Sequence, residues 1–209
     1  MITLDSETNE DAVERVIDFY FDFMSPYGYL ANCKLPGLAD SYGYRIAYHP
    51  IDIPMAKMAA GNYGPSNREV PSKIKVLQAD LERWAKRYGV PLKLLPNADG
   101  RAWNIGTLYA NEKGAAEGYV NEGYRRIWGL GADPADPLQL RDTAKLLQWD
   151  PDEFIGYVFS SRAQTEFRKQ CVLAHANGIF GAPIMVVNQE MWWGNDRLDF
   201  LEVYLKSNH

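Results

Sequence analysis

Cysteine is scarce in this chain. Its 209 residues hold two, Cys33 and Cys171, which form no Cys-x-x-Cys pair and no metal-ligand spacing. The three histidines, His49, His175 and His209, do not cluster either. A dithiol redox centre and a structural zinc site are therefore unsupported, and no metal is expected. Long apolar runs are also missing. No stretch approaches the roughly 18 residues that suggest a membrane span. Met1 to Arg15 is polar and acid-rich, with neither the basic start nor the apolar core of a signal peptide. Residues 1–15 read as a short flexible arm, and the protein as cytoplasmic. Excess positive charge is absent too. The formal net charge is -5, the pI is about 5.3, and no basic run breaks the pattern. Nucleic-acid binding needs clustered Lys and Arg to displace counterions, so it is not expected here.

What is present is ordinary for a globular protein: 46% hydrophobic and 23% charged residues. The length suits one packed domain, or a domain with a large insertion. Val16 to Phe23 alternates, with Ile17, Phe19, Phe21 and Phe23 on one face and Asp18, Tyr20 and Asp22 on the other. That period of two, in an aromatic run, predicts a strand. Ser25-Pro26 follows, a favoured N-cap and a favoured first helical residue. A helix should start there, carry Leu30, Ala31, Leu35, Leu38 and Tyr42 on its apolar stripe, and kink at Pro36-Gly37. Tyr44 to Tyr48 reads as a second strand.

From Ile53 to about Gly178 the pattern is helical. Pro54 to Pro71 is rich in Gly, Pro and Asn and predicts a long loop with a little helix. Ser72 to Tyr88 is the clearest helix, stopped by Gly89 and Pro91. Others fit Trp103–Gly114, Tyr119–Trp128, Asp136–Leu147, Asp150–Ser160 and Arg162–Asn177. Strand character returns at Ile184–Val187 and Glu190–Trp193, joined by a tight turn at Asn188-Gln189. A last helix carries Leu198, Leu201 and Leu205. The layout is β-α-β, a helical block, then β-β-α. The two ends must pair across the block, since neither half alone buries its apolar face. The expected fold is α/β, with one domain from residues 16–52 and 179–207 and a helical insertion over residues 53–178.

Several residues admit both a structural and a chemical reading. Ser25 caps a helix, or offers its hydroxyl to a ligand's thiolate at the positive end of the helix dipole. Ala182-Pro183 is an ordinary trans bond on local grounds, while a cis bond would turn the Ala182 backbone outward to meet a bound peptide. Asn195 and Asp196 suit a helix start, or present polar groups to a ligand's ammonium and carboxylate. Asn62 and Lys73 suit solvated surface positions, or contacts to a ligand. Asp22 fits a solvent-facing alternation residue better than a buried acid or base. His49 reads as structural, and Trp103, Trp128, Trp192 and Trp193 as core.

The order of these pieces is more specific than any one of them. Phe21-Asp-Phe-Met-Ser-Pro-Tyr27, Gly61-Asn62, Pro71-Ser-Lys73, Gly178-Ile-Phe-Gly-Ala-Pro183 and Trp193-Gly-Asn-Asp-Arg-Leu-Asp199 together resemble the 2-hydroxychromene-2-carboxylate isomerases and the kappa-class glutathione transferases. The resemblance covers essentially Val16 to Leu205 and fits the isomerase branch best. It implies a thioredoxin-like domain split by a helical domain, with glutathione as cofactor and a small aromatic substrate. By resemblance, Ser25 would hydrogen-bond the glutathione thiolate and Ala182, before a cis Pro183, would pair with the cysteinyl unit. Asn195 and Asp196 would hold the γ-glutamyl end, and Asn62 and Lys73 the tripeptide from the helical side. A homodimer is implied as well. The implied chemistry is an isomerisation by thiolate addition. A kappa-like transferase and a glutathione- or peptide-binding protein without turnover are the alternatives. Two positions depart from the family pattern. Gly28 stands where a side chain such as Ser is usual. Asn104 to Asn111 carries no arginine where one is usual, which removes an expected contact to a substrate carboxylate.

Overall fold

Alternation builds the first strand in the structure, a computed structural model that describes residues 14–95 and 99–208. Strand β1 (Val16–Phe21) buries Ile17, Phe19 and Phe21 completely. Strand β2 (Arg45–Pro50) lies parallel to it, from Val16 opposite Arg45 to Phe21 opposite Pro50. Strand β3 (Ile184–Val187) pairs antiparallel on the other side of β1, with Tyr20 opposite Ile184. Strand β4 (Glu190–Trp193) closes a hairpin with β3. The expected turn, Asn188-Gln189, has both residues at positive φ, 48° and 73°, as a two-residue hairpin loop requires. The sheet order is β2-β1-β3-β4, so the central pair joins the two ends of the chain. Of the expected flexible arm, residues 1–13 lie outside the described range.

The first helix is two helices, α1 (Pro26–Asn32) and α2 (Leu35–Ser41). The break falls two residues before Pro36, because a proline has no N–H to donate back to Asn32 and its ring would strike that carbonyl. Between β2 and β3 come α3 (Ile53–Ala59), α4 (Pro71–Tyr88), α5 (Arg101–Glu112) and α6 (Ala116–Tyr124). A π-helical turn, Arg125–Leu130, continues α6. Then follow α7 (Pro137–Leu146), α8 (Pro151–Val158) and α9 (Ser161–Ala176), and after β4 comes α10 (Leu198–Ser207). The Asp-Pro starts work as predicted: Asp136 and Asp150 accept N–H bonds from the first turns of α7 and α8. Asp52 does the same for α3, with Pro54 in its first turn. No described helix is long and apolar enough to cross a membrane.

An aromatic cluster locks the helices onto the sheet. Phe23, just past β1, lies 4.9 Å from Tyr124, 5.6 Å from Trp103 and 5.9 Å from Tyr119, centroid to centroid. All four are essentially buried. Polar tips in the cluster are satisfied: Trp103 Nε1 donates to Pro134 O, and Tyr119 Oη donates to Trp103 O, both at 3.0 Å.

The cluster is tight enough to require glycine at position 123. A Cβ there would stand 2.5 Å from Phe23 Cε1 and 3.0 Å from Trp103 Cε3. Alanine in a helix gains up to about 1 kcal/mol over glycine. Overpacking a rigid ring core costs about 1–3 kcal/mol. Gly123→Ala is therefore expected to lower stability by roughly 1–2 kcal/mol net. Urea unfolding followed by tryptophan fluorescence checks this, and an unchanged or higher midpoint contradicts it.

Candidate functional site

The chain leaves β1 at Phe21 and must find partners for its next backbone groups. Asp22 and Asn104 supply them. Asp22 Oδ1 accepts from Met24 N (2.9 Å) and from Asn104 Nδ2 (3.1 Å), and Oδ2 accepts from Ile53 N (3.1 Å). Asn104, on α5, also donates to Ile51 O (3.1 Å), and its Oδ1 accepts from Phe23 N (3.0 Å). Asp22 is thus buried, not solvent-facing, because the strand's alternation ends before it. Burial pushes its carboxyl above the usual carboxylate range, against the opposing pull of the three donors.

Ser25 follows from this turn. Its N–H donates to Asp22 O (2.9 Å), and its Oγ accepts from Gly28 N (3.0 Å) as the N-cap of α1. Among the described residues no acceptor takes the Ser25 O–H, so the hydroxyl can donate to a ligand. Gly28 is explained by its neighbour: the Tyr124 hydroxyl occupies the place of a Cβ at position 28. That hydroxyl donates to Asp22 O (3.0 Å). A polar group therefore still stands beside Ser25, supplied by α6 instead of α1.

Because β3 runs antiparallel to β1, its start lies beside the end of β1. That places Ala182-Pro183 next to the Ser25 turn. The Ala182-Pro183 bond is cis, contrary to the local expectation of trans, since local sequence carries little information on the isomer. Among the described residues no protein group bonds the Ala182 backbone N–H or C=O. Pro183 O accepts from Gly194 N (3.0 Å), which ties this loop to the 3-10 turn Asn195–Arg197. Asn195 is 2% exposed, and its Nδ2 has no partner. Asp196 is exposed and near enough to Tyr27 to help raise that phenol. Five of the predicted site positions, Ser25, Ala182, Pro183, Asn195 and Asp196, therefore lie at one end of the sheet. Asn62 and Lys73 do not join them directly. Both are exposed, and Lys73 Nζ donates to Asn67 Oδ1 (3.0 Å).

Beside α1 opens a cleft of about 160 Å³. Pro26 forms one wall, α4 another through Ile74, Leu77 and Leu81, and Trp128 closes it. Trp128 comes from the π-helical turn, and its Nε1 donates to Phe23 O (2.7 Å). Arg68 lies at the cleft with its guanidinium 5.5 Å from the Trp128 ring. Lys73 precedes Ile74 on α4 and is not among the residues lining the cleft. On sequence alone Trp128 reads only as core, Asn104 only as one end of the arginine-free segment, and Tyr124 and Arg68 are not singled out. The signal for Asn104 was a lone amide within an apolar helical face. For Tyr124 and Arg68 no sequence signal existed.

The comparisons agree with this architecture. The family model of a DSBA-like thioredoxin domain matches residues 16–206. A 2-hydroxychromene-2-carboxylate isomerase of Sphingobium xenophagum is 53% identical over 191 residues, covering 91% of this chain and 98% of that protein. One from Pseudomonas putida is 42% identical over 187 residues, covering 90% and 92%. The solved structure of a 2-hydroxychromene-2-carboxylate isomerase superposes with a TM-score of 0.88 at 41% identity, covering 92% of this chain and 95% of that one.

The Gly28–Tyr124 fit generates a double-mutant test. Gly28→Ser alone is expected to destabilise by about 1–3 kcal/mol through overpacking against the Tyr124 hydroxyl. Tyr124→Phe vacates that space. The double variant should then be more stable than the sum of the single changes by about 1 kcal/mol or more. Additive losses in denaturant melts would show that the two positions do not compete for one space.

Proposed function

The chain belongs to the 2-hydroxychromene-2-carboxylate isomerases within the DSBA-like thioredoxin-domain family, and on that premise we propose that it isomerises such an aromatic-catabolic carboxylate with glutathione as cofactor. The observation that carries the cofactor is the uncommitted Ser25 hydroxyl beside the unpaired backbone of Ala182. A cysteinyl peptide needs an extended backbone partner and a donor for its sulfur, and both stand at the same end of the sheet. The buried, partnerless Asn195 Nδ2 and the exposed Asp196 carboxylate fit the γ-glutamyl carboxylate and ammonium. Asn62 and Lys73, on the helical side, are assigned to the rest of the tripeptide in the same reading. The homodimer and the cytoplasmic location that the resemblance implies belong to this proposal too.

The chemistry that glutathione supplies when bound is a nucleophilic sulfur that is recovered at the end of the cycle. Ser25 holds that sulfur in its anionic form by donating a hydrogen bond, with its acceptor side fixed by Gly28 N–H. The rigid Asp22–Asn104 support keeps the hydroxyl in place, so little reorganisation is needed when charge gathers there. The cleft beside Pro26 receives and positions an aromatic ring. The isomerase reading is preferred to a transferase because the 53% identical relative carries that name across nearly its whole length.

Two measurements test the reading together. A hydrogen bond to a charged group is worth about 1.5–3 kcal/mol. Ser25→Ala is therefore expected to raise the thiol pKa of bound glutathione by about 1–2 units, and to weaken glutathione binding by no more than the corresponding factor of about 10–100. Calorimetric titration read beside far-ultraviolet thiolate absorbance measures both. If the wild type does not bind glutathione, the cofactor assignment is wrong. In turnover of 2-hydroxychromene-2-carboxylate, glutathione should be required in catalytic amounts only. Stoichiometric loss of glutathione into product would make the protein a transferase.

A further inference from the structure

Arg68 is a half-buried cation with no carboxylate to meet it. Its Nη2 donates to Leu95 O (2.7 Å), and its guanidinium lies over Trp128. Among the described residues no acidic side chain pairs with it. Arg101 meets Asp52, Arg125 and Arg126 meet Glu122, and Arg141 meets Asp152, whereas arginines without an ion pair among the described residues, such as Arg15, Arg83, Arg162 and Arg168, are exposed to water. Removing a cation from water without a counter-charge is unfavourable, and burial pushes the Arg68 guanidinium down from its usual value. One carbonyl and one ring face do not use up a guanidinium with five N–H donors. The remaining fork has the shape that receives a carboxylate in two parallel hydrogen bonds.

The surroundings say what kind of carboxylate. Ile74, Leu77 and Leu81 of α4, together with Leu94, make most of the rest of the cleft apolar, and Gln78 adds a single amide. Pro26, which closes one side, directly follows Ser25 in the chain. A flat apolar body with one anionic group fits such a cleft, whereas a sugar or a peptide would leave its polar groups unpaired against leucine.

We propose that Arg68 and this cleft form the subsite for the aromatic carboxylate, the guanidinium receiving the carboxylate and the apolar face of α4 receiving the ring. The identity of the natural occupant rests on the isomerase reading above, while the subsite itself rests on the geometry. Arg68 is thereby a substrate-binding residue whose loss weakens binding of the anion. Glutathione also carries carboxylates, so the experiment has to separate the two sources.

The probes are 2-naphthoate and its neutral counterpart 2-naphthamide, titrated into the full-length protein with glutathione present and followed by calorimetry. Arg68→Gln keeps an N–H donor for Leu95 O and removes the charge, and Arg68→Lys keeps the charge without the fork. The wild type should bind the naphthoate about tenfold or more tighter than the amide. Arg68→Gln should bind both alike, Arg68→Lys should fall between, and glutathione affinity should be the same in all three. A third variant, Leu77→Trp, fills the cleft and should abolish naphthoate binding with Arg68 in place. In turnover, KM for 2-hydroxychromene-2-carboxylate should rise in Arg68→Gln by a similar factor. The proposal is overturned if Arg68→Gln keeps the preference for the anion, or if Leu77→Trp binds naphthoate normally. It is equally overturned if Arg68→Gln weakens glutathione instead, which would assign Arg68 to the cofactor's carboxylate. An Arg68-dependent preference for naphthoate in a protein that isomerises nothing would leave the subsite standing and sink the isomerase reading.

Discussion

The pairing of Asp22 with Asn104 is the interaction on which the rest of the molecule depends. Where β1 stops, the backbone polar groups at Phe23, Met24, Ile51 and Ile53 lose their sheet partners while staying inside the protein. The groups at Phe23 and Ile51 are buried and the other two partly so, and a buried group left unpaired would cost about 1–3 kcal/mol. One carboxylate and one amide satisfy all four. In doing so they pin the end of β1, the end of β2, the start of α3 and the first turn of α5 to a single point. Burying a carboxylate is unfavourable in itself, and three N–H donors offset much of that penalty.

From that point the functional end of the sheet follows in sequence. The carbonyl of Asp22 accepts both Ser25 N–H and the Tyr124 hydroxyl. Ser25 is therefore set in place from both α1 and α6, and Gly28 leaves room for the tyrosine between them. The antiparallel pairing of β1 with β3 brings the cis Ala182-Pro183 bond to the same place. The hydrogen bond from Gly194 to Pro183 then holds the turn with Asn195 against it. Rigid support of this kind suits a site whose proposed task is to hold charge on a bound sulfur, because preorganised donors need not move when charge develops.

The helical segment contributes differently. Its aromatic cluster fastens it to the sheet through Phe23, so the cleft between α4 and Trp128 has a fixed wall on the α1 side. Trp128 reaches that cleft from a π-helical turn, an irregularity often found where a helix must present a side chain to a site. The polar and apolar halves of the proposed reaction are thus divided between two parts of one chain. In the proposed reading the sheet end offers hydrogen bonds to the peptide-like cofactor, and the helices offer a largely apolar slot with one cation.

Much of this was legible in the sequence. Alternation fixed the strands, Asp-Pro and Ser-Pro pairs fixed helix starts, and the order of the motifs pointed to the family, because these are local signals that a linear reading can carry. Ser25, Ala182, Pro183, Asn195 and Asp196 became candidates only through that family resemblance, since on local grounds each has a plain capping or turn reading. What needed the tertiary structure is every feature made by residues far apart in the chain. Asp22 reads as solvent-facing until Asn104, on α5, is brought against it. Gly28 reads as a missing side chain until Tyr124 is seen in its place. Arg68 reads as one more surface charge until α4, the segment around Leu95 and Trp128 close around it. Periodicity and capping are properties of neighbours along the chain and can be read from it. Burial and the partner of a charge are properties of neighbours in space, and only folding decides them.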